Sequence, residues 1–131
     1  MVPDSTPSPR ALPTPDNRPT FYGYLRDEEP DEIQIGLWRK EVAQFCEAQG
    51  YRLAVVFVDR GIPHEQVART GFTGLLDVLE LDDSHGVVVP NLQHLSEDNH
   101  ALAMLLRLIR RTASKLIVIH DQADEFKADG A

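Results

Sequence analysis

The chain has 131 residues and a formal net charge of −8, which is typical of a single acidic, soluble domain. One cysteine excludes an intrachain disulfide or a metal site built on several cysteines, and the negative charge argues against strong binding to a nucleic-acid backbone. The sequence shows no apolar run long enough for a membrane span and no secretory signal. We therefore expect a cytoplasmic protein without membrane contact.

The chain divides into a tail, one domain and a second tail. Seven of the nine prolines lie within residues 1–30, and the first part of this stretch has few apolar side chains that could form a core. We predict a disordered, proline-rich tail over 1–19, an α/β domain over 20–121 and a C-terminal tail over 122–131. The first tail is either a partner-binding segment or a solvated leader, and its lack of a basic anchor favours the leader.

Strand and helix patterns alternate along the predicted domain. Continuous apolar or aromatic runs predict four strands, at 20–26, 52–58, 86–89 and 115–120. The second of these runs is expected to be covered on both faces. Apolar residues at helical spacing predict three helices, at 31–49, 71–81 and 96–112. Gly50 would end the first helix in a left-handed conformation, and Ser96 would cap the start of the last.

This alternation predicts a three-layer, doubly wound α/β fold with a mostly parallel sheet of four to five strands in the order 2-1-3-4. In such sheets, ligands bind at the carboxyl ends of the strands, near the point where the strand order reverses. The segments to inspect for function are 26–32, 59–69, 91–98 and 120–122. None of them carries a glycine-rich phosphate loop or a serine-hydrolase elbow.

Acidic residues follow the first strand, and they allow two interpretations. Asp27, Glu28 and Asp59 could converge and hold Mg²⁺ through carboxylates and water. Alternatively, the acidic residues lead into the first helix, whose dipole favours negative charge at its start, and this is the favoured interpretation. The five histidines lack the spacing of zinc sites, so we predict neither a metal nor a cofactor.

The sequence Tyr-Gly-Tyr-Leu-Arg at 22–26 resembles the opening strand of serine recombinases, the resolvase and invertase family. Further segments are similar to that family in the same order along the chain: 37–50, 52–61, 68–76, 87–98 and 115–120. The resemblance implies a resolvase-like fold and membership of a family that exchanges DNA strands through an attacking serine.

The resemblance also indicates which positions of this chain correspond to the family's active site. The family-equivalent pocket positions are Tyr24, Arg26, Glu28, Trp38, Asp59, Arg69, Gln93, His94 and Glu97. Tyr24, Arg26, Asp59 and Arg69 match the family, whereas Glu28 stands where the family has its attacking serine, and Trp38 where it has a glutamine. The run 93–97 (Gln-His-Leu-Ser-Glu) replaces an Asp-Arg-Leu-x-Arg motif whose arginines stabilise the pentacoordinate phosphate.

These departures predict a degenerate member of the family. A carboxylate at the position of the nucleophile would repel a phosphodiester, and residues 70–106 contain six acidic side chains but no lysine or arginine. We therefore expect an inactive interaction or regulatory module with a protein partner or a second copy of itself, and weak or no DNA binding. The alternative is an enzyme with a pocket rebuilt around Glu28, Asp59, His94 and Glu97, with Mg²⁺ as an option.

Two further expectations concern the cations of the chain. Arg107, Arg110, Arg111 and Lys115 form a basic stripe that could bind nucleic acid weakly, although cations are also favoured at the end of a helix by its dipole. Arg26 ends the first strand, and Asp59 ends the second. We expect the two to form a structural ion pair, or Arg26 to pair with a neighbouring carboxylate.

Overall fold

A computed structural model describes residues 17–120, and the predicted C-terminal tail at 122–131 and nearly all of the predicted N-terminal tail lie outside this range. Within it, strands and helices alternate as β1 (Thr20–Asp27), α1 (Glu32–Gln49), β2 (Arg52–Arg60), α2 (Thr70–Leu79), β3 (Ser84–Val89), a 3-10 turn (Leu92–His94), α3 (Asn99–Arg111) and β4 (Lys115–Val118). No helix in this range is both long enough and apolar enough to span a membrane.

The four strands form one parallel sheet in the order β2-β1-β3-β4, which confirms the predicted strand order and fold class. Side chains of β1 alternate between the two faces. On one face, Phe21 and Leu25 pack with α1, and on the other, Tyr22 and Tyr24 pack with α2 and α3. The result is a three-layer core in which β1 and β3 are central.

The termini of α1 agree with the chemistry of its sequence. The Asp31 carboxylate accepts hydrogen bonds from the amides of Ile33 and Gln34, and so supplies partners for the free donors of the first turn. Gly50 ends the helix with a φ of 78°, the left-handed conformation that glycine adopts without steric cost. The predicted role of Gly50 is confirmed.

The prediction that the second strand is covered on both faces is wrong. Ala54 is exposed, and Val55 keeps 47% of its surface accessible. The reason is that β2 lies at the edge of the sheet, where the covering helices leave its middle residues open. The carboxyl end of β2 is covered, because Asp59 is buried beside the start of α2.

The start of α3 also differs from the prediction. Asp98, and not Ser96, is the N-cap, and its Oδ2 accepts the amide of Ala101 at 2.9 Å. The preceding residues form the short 3-10 turn, in which Asn91 accepts the amide of Gln93. The Ser96 hydroxyl donates to the carbonyl of His64 at 2.7 Å and accepts the amide of Asp98 at 2.9 Å, so it caps no amide of α3 itself. The N-cap therefore lies two residues later than predicted.

Candidate functional site

A cavity of about 190 Å³ opens at the carboxyl edge of the sheet, where β1 and β3 end. We call it the acidic cavity, and its lining consists of Arg26, Asp27, Glu28, Trp38, His64, Asn91, Gln93, His94 and Glu97. Six of the nine family-equivalent positions thus come together, from three separate segments of the chain. The cavity lies at the edge where a doubly wound sheet is expected to bind ligands.

Arg26 is 5% exposed, and its guanidinium ties together the loops around the cavity. Nη1 donates to the carbonyl of Ile62 at 2.7 Å, and Nη2 donates to the carbonyl of Gln93 at 2.8 Å. Nη2 also lies 2.7 Å from Nδ1 of His64, whereas Nε is buried without a partner among residues 17–120. Burial lowers the pKa of this guanidinium, and the charge of Arg69 lowers it further.

The predicted ion pair between Arg26 and Asp59 is wrong, although the two residues are partners in the sheet register. The Asp59 carboxylate is directed at the start of α2, where three donors occupy its oxygens. Arg26 forms no salt bridge to any other described residue and bonds to backbone carbonyls and an imidazole instead.

His94 is a buried, neutral imidazole in the wall of the acidic cavity. Its Nδ1 accepts the backbone amide of Arg26 at 3.1 Å, which places the ring proton on Nε2. The ring packs edge to face with Trp38, with 4.4 Å between the ring centroids. Burial, together with the positive charge of Arg26, lowers the pKa of His94 to about 4. His94 therefore stays uncharged at neutral pH.

His64 connects the loop after β2 with the segment before α3. Its Nδ1 accepts the amide of Glu97 at 2.9 Å, and its carbonyl accepts the Ser96 hydroxyl. Because both the Glu97 amide and the Arg26 guanidinium can only donate, Nδ1 carries no proton. Nε2 then faces the Glu97 carboxylate at 3.5 Å. The sequence indicated only the segment 59–69, and no spacing within it distinguished His64.

The other three family-equivalent positions form a separate buried cluster of Tyr24, Asp59 and Arg69. The Tyr24 hydroxyl donates to Asp59 at 2.7 Å, and the amides of Gly71 and Phe72 donate to the same carboxylate at 2.7 and 2.9 Å. Asp59 thus stabilises the start of α2, to which the N-cap residue Arg69 contributes no side-chain cap. Burial raises the pKa of Tyr24, and its bond to Asp59 adds to this effect.

The guanidinium of Arg69 is also occupied by hydrogen bonds within the buried cluster. Arg69 is 2% exposed, and its Nε donates to the carbonyl of Gln66 at 2.6 Å. Its terminal nitrogens reach the Tyr24 hydroxyl at 3.4 Å and the His64 carbonyl at 3.3 Å. A guanidinium held in this way supports the loop around residues 64–69 and has no free face toward the acidic cavity.

The carboxylates proposed for Mg²⁺ do not converge. Asp27 and Glu28 line the acidic cavity, whereas Asp59 is held in the buried cluster. Across residues 17–120, no group of three His, Cys, Asp or Glu side chains has an arrangement that could hold a metal ion. The alternative pocket around Glu28, Asp59, His94 and Glu97 is therefore assembled only without Asp59.

The basic stripe of Arg107, Arg110, Arg111 and Lys115 is exposed, and it lies away from the cavity. Its last member, Lys115, begins β4, so the stripe reaches the opposite edge of the parallel sheet. Arg110 and Arg111 occupy the last turn of α3, where the helix dipole favours positive charge.

Comparison with known proteins gives the same fold. A family model described as "Resolvase, N terminal domain" matches residues 21–130. The N-terminal catalytic domain of TP901-1 integrase is 17% identical, with a TM-score of 0.69 over 76% of this chain and 77% of that one. A resolvase family site-specific recombinase from Streptococcus pneumoniae is 16% identical, with a TM-score of 0.63 over 76% of this chain and 71% of that one.

A serine recombinase from Sulfolobus solfataricus is 21% identical, with a TM-score of 0.54 over 80% of this chain and 70% of that one. No curated protein sequence matches the chain. At these identities the solved structures show a shared fold, and the family model covers most of the sequence. The chain therefore belongs to the resolvase N-terminal domain family of serine recombinases.

Proposed function

We propose that this domain of a DNA-recombination family does not itself exchange DNA strands and acts as an interaction or regulatory module. The observation that carries the proposal is the state of the two arginines matched by the family resemblance. Arg26 and Arg69 are both buried, and their terminal nitrogens bond to protein carbonyls and side chains. Phosphoryl transfer needs cations that are directed at the phosphate, because its transition state is stabilised electrostatically.

The charges around the acidic cavity also support the proposal. Asp27, Glu28 and Glu97 line it, and Glu28 and Glu97 are exposed. Two like charges at a separation of 4 Å repel each other by about 1 kcal/mol in bulk water and by about 4 kcal/mol near a protein surface. A phosphodiester entering this cavity would meet several such charges. The cavity thus disfavours the substrate of the family's reaction.

A role in protein contact is supported by apolar side chains near the cavity. Ile33 is 78% exposed and Leu37 is 57% exposed, and the two lie one turn apart on α1. Trp38 follows directly and lines the acidic cavity. A partner that covered Ile33 and Leu37 would therefore also reach the mouth of the cavity.

A second candidate function is an enzyme with a rebuilt pocket. The observation that favours it is the neutral imidazole of His94 in one cavity with Glu28 and Glu97, which is a plausible set for proton transfer. A thermal-shift series with Mg²⁺, Mn²⁺ and Zn²⁺ tests its metal-dependent form, because a ligand that binds only the folded state raises the melting temperature.

Formation of a covalent protein–DNA adduct tests the main proposal. The full chain is incubated with a pool of supercoiled plasmids that carry fragments of the genome encoding it, and the products are separated under denaturing conditions. An active serine recombinase with its own site serves as the positive control. We expect no adduct from this chain, and an adduct that maps to any side chain of the chain would overturn the proposal.

A further inference from the structure

The acidic cavity separates two kinds of polar group by depth. Arg26 and His94 are buried in its wall, with exposed fractions of 5% and 3%. The carboxylates of Glu28 and Glu97 belong to exposed residues at its rim. A ligand that fills the cavity therefore meets hydrogen-bond donors inside and negative charge outside.

The buried donors are not fully used by the protein. His94 accepts the Arg26 amide at Nδ1, so its proton is on Nε2, and Nε2 forms no hydrogen bond with any residue of the range 17–120. Nε of Arg26 is buried in the same wall without an acceptor. Nε2 of His94 is the donor that is accessible from the cavity, and a donor without a protein acceptor favours a ligand that presents an oxygen to this wall.

The rim favours a positive charge. The lining holds the carboxylates of Asp27, Glu28 and Glu97 against one guanidinium, that of Arg26, so acidic groups outnumber it. The described carboxylates and histidines do not converge as metal ligands do. An organic cation suits the rim better, because its several N–H donors can reach separate carboxylates. Trp38 also lines the cavity, and indole rings attract cations.

We propose that the acidic cavity binds an α-amino terminus, meaning an ammonium group next to a carbonyl or carboxylate oxygen. The oxygen accepts from Nε2–H of His94, and the ammonium group lies between Glu28 and Glu97. Free amino acids and the N-terminal residue of a peptide both carry this chemistry. The inference rests on the proposed function, since a cavity that bound an amine would serve recognition and not phosphoryl transfer.

The size of the cavity agrees with such a ligand. Sites for drug-sized molecules have volumes of about 300–1,000 Å³, and the acidic cavity, at about 190 Å³, is smaller. It can accommodate one residue with its terminal amine, with any following residues outside in solvent. Ile33 and Leu37 on the neighbouring turn of α1 offer an apolar surface for those following residues.

The chain contains one tryptophan, Trp38, so its fluorescence reports directly on this cavity. The full chain is titrated with L-alanine, with alanyl-alanine amide, and with the N-acetylated form of the same dipeptide amide, which lacks the ammonium group. Calorimetry on the same samples detects binding that leaves the fluorescence unchanged. We expect at least one of the two free amines to bind about tenfold or more tightly than the acetylated peptide, the scale of one charge-assisted contact.

The two sources of the ligand are separated by the free amines. Tighter binding of alanine identifies a free amino acid, and tighter binding of the dipeptide amide identifies a peptide terminus. Glu28→Gln and Glu97→Gln should each weaken binding about fivefold or more. Glu47→Gln removes the same charge at the exposed far end of α1 and should leave affinity unchanged.

Equal affinity for the acetylated and free peptides would overturn the inference, and so would a lack of binding in both measurements. An equal loss of affinity in Glu28→Gln and Glu47→Gln would also contradict the inference. It would show that binding depends only on the overall charge of the protein. The proposed function is tested separately by the DNA adduct. An adduct overturns the proposed function whatever the amines do, and failed amine binding without an adduct overturns this inference alone.

Discussion

The buried cluster and the acidic cavity lie side by side at one edge of the sheet, yet they use their polar groups in opposite ways. In the buried cluster, the Asp59 carboxylate has three donors, and Tyr24 and Arg69 complete the network. In the acidic cavity, Nε of Arg26 and Nε2 of His94 have no acceptor within the described part of the chain, and carboxylates at the rim belong to exposed residues. One region is closed by its own hydrogen bonds, and the other is open to a ligand.

The two regions also differ in how they relate to the family pattern. The buried cluster consists of positions that match the serine-recombinase resemblance, whereas most cavity positions depart from it. The matching residues stabilise this fold in a direct way, because they bond to helix α2 and to the loop around residues 64–69. Residues of the cavity rim carry little of the packing. Substitution there can change the chemistry without loss of the sheet.

The largest effect should come from Asp59→Ala, which leaves the Tyr24 hydroxyl and the amides of Gly71 and Phe72 without their buried acceptor. We expect a loss of about 3 kcal/mol in the free energy of unfolding. Denaturant unfolding measures it, with Asp77→Ala at an exposed position of α2 as the control. If the two variants lose the same amount, the buried cluster does not hold the fold as described.

An effect of at most the same size should follow from the titration of His94. The unfolded chain protonates this histidine below a pH of about 6.5, whereas the folded chain does so only near its pKa of about 4. The free energy of unfolding should therefore fall as the pH drops from about 6.5 to about 4, by up to about 3 kcal/mol.

Unfolding of His94→Gln at both ends of this pH range tests the assignment, with the exposed His100→Gln as the control. The His94→Gln variant should lose less stability on acidification than the wild type, and His100→Gln should behave as the wild type does. Parallel pH profiles for all three proteins would show that His94 is not held neutral by burial.

Substitution of two glycines should change the free energy of unfolding by smaller amounts and in opposite directions. A Cβ at Gly71 would lie 2.8 Å from both carboxylate oxygens of Asp59, while a Cβ at Gly36 would meet nothing within 4 Å. Gly71→Ala should therefore cost about 1–3 kcal/mol through overpacking of the buried cluster. Gly36→Ala should stabilise α1 by up to about 1 kcal/mol. If Gly71→Ala proves neutral or stabilising, the Asp59 carboxylate does not pack against Gly71 as described.

The smallest effect is expected at the cavity rim. Glu28→Gln and Glu97→Gln should change the free energy of unfolding by no more than about 0.5 kcal/mol, since both side chains belong to exposed residues. The same denaturant titrations measure it. A loss comparable to that of Asp59→Ala would mean that the rim is structural, and the contrast between the two regions would fail.

The fold could be predicted from the sequence because its signals are local. Continuous apolar runs mark the strands, helical spacing marks the helices, and Gly50 marks the end of α1. The alternation of strands and helices then leaves few topologies. The sequence predicts the start of α3 too early, because Ser96 has the chemistry of an N-cap but accepts the amide of Asp98, which precedes the helix, and donates to the His64 carbonyl.

The contacts of the site could be predicted only in part. The strand ends and the resemblance indicated most of the residues that line the cavity, but not their partners. Arg26 has carboxylates nearby in sequence, yet it bonds to the carbonyls of Ile62 and Gln93 and to His64, all from distant segments. Such pairings depend on side-chain geometry within the assembled loops, and residue spacing does not encode it.

The central proposal is that the whole cavity, and not only the position of the nucleophile, is unsuited to phosphoryl transfer. Glu28→Ser returns the family's attacking residue to its place and removes one rim carboxylate, while Arg26 stays bonded to protein carbonyls. The covalent-adduct assay on supercoiled DNA then tests the claim directly. We predict no adduct from Glu28→Ser, because the cations that stabilise the transition state are still missing. An adduct through Ser at position 28 would contradict it, since one substitution would then have restored the chemistry.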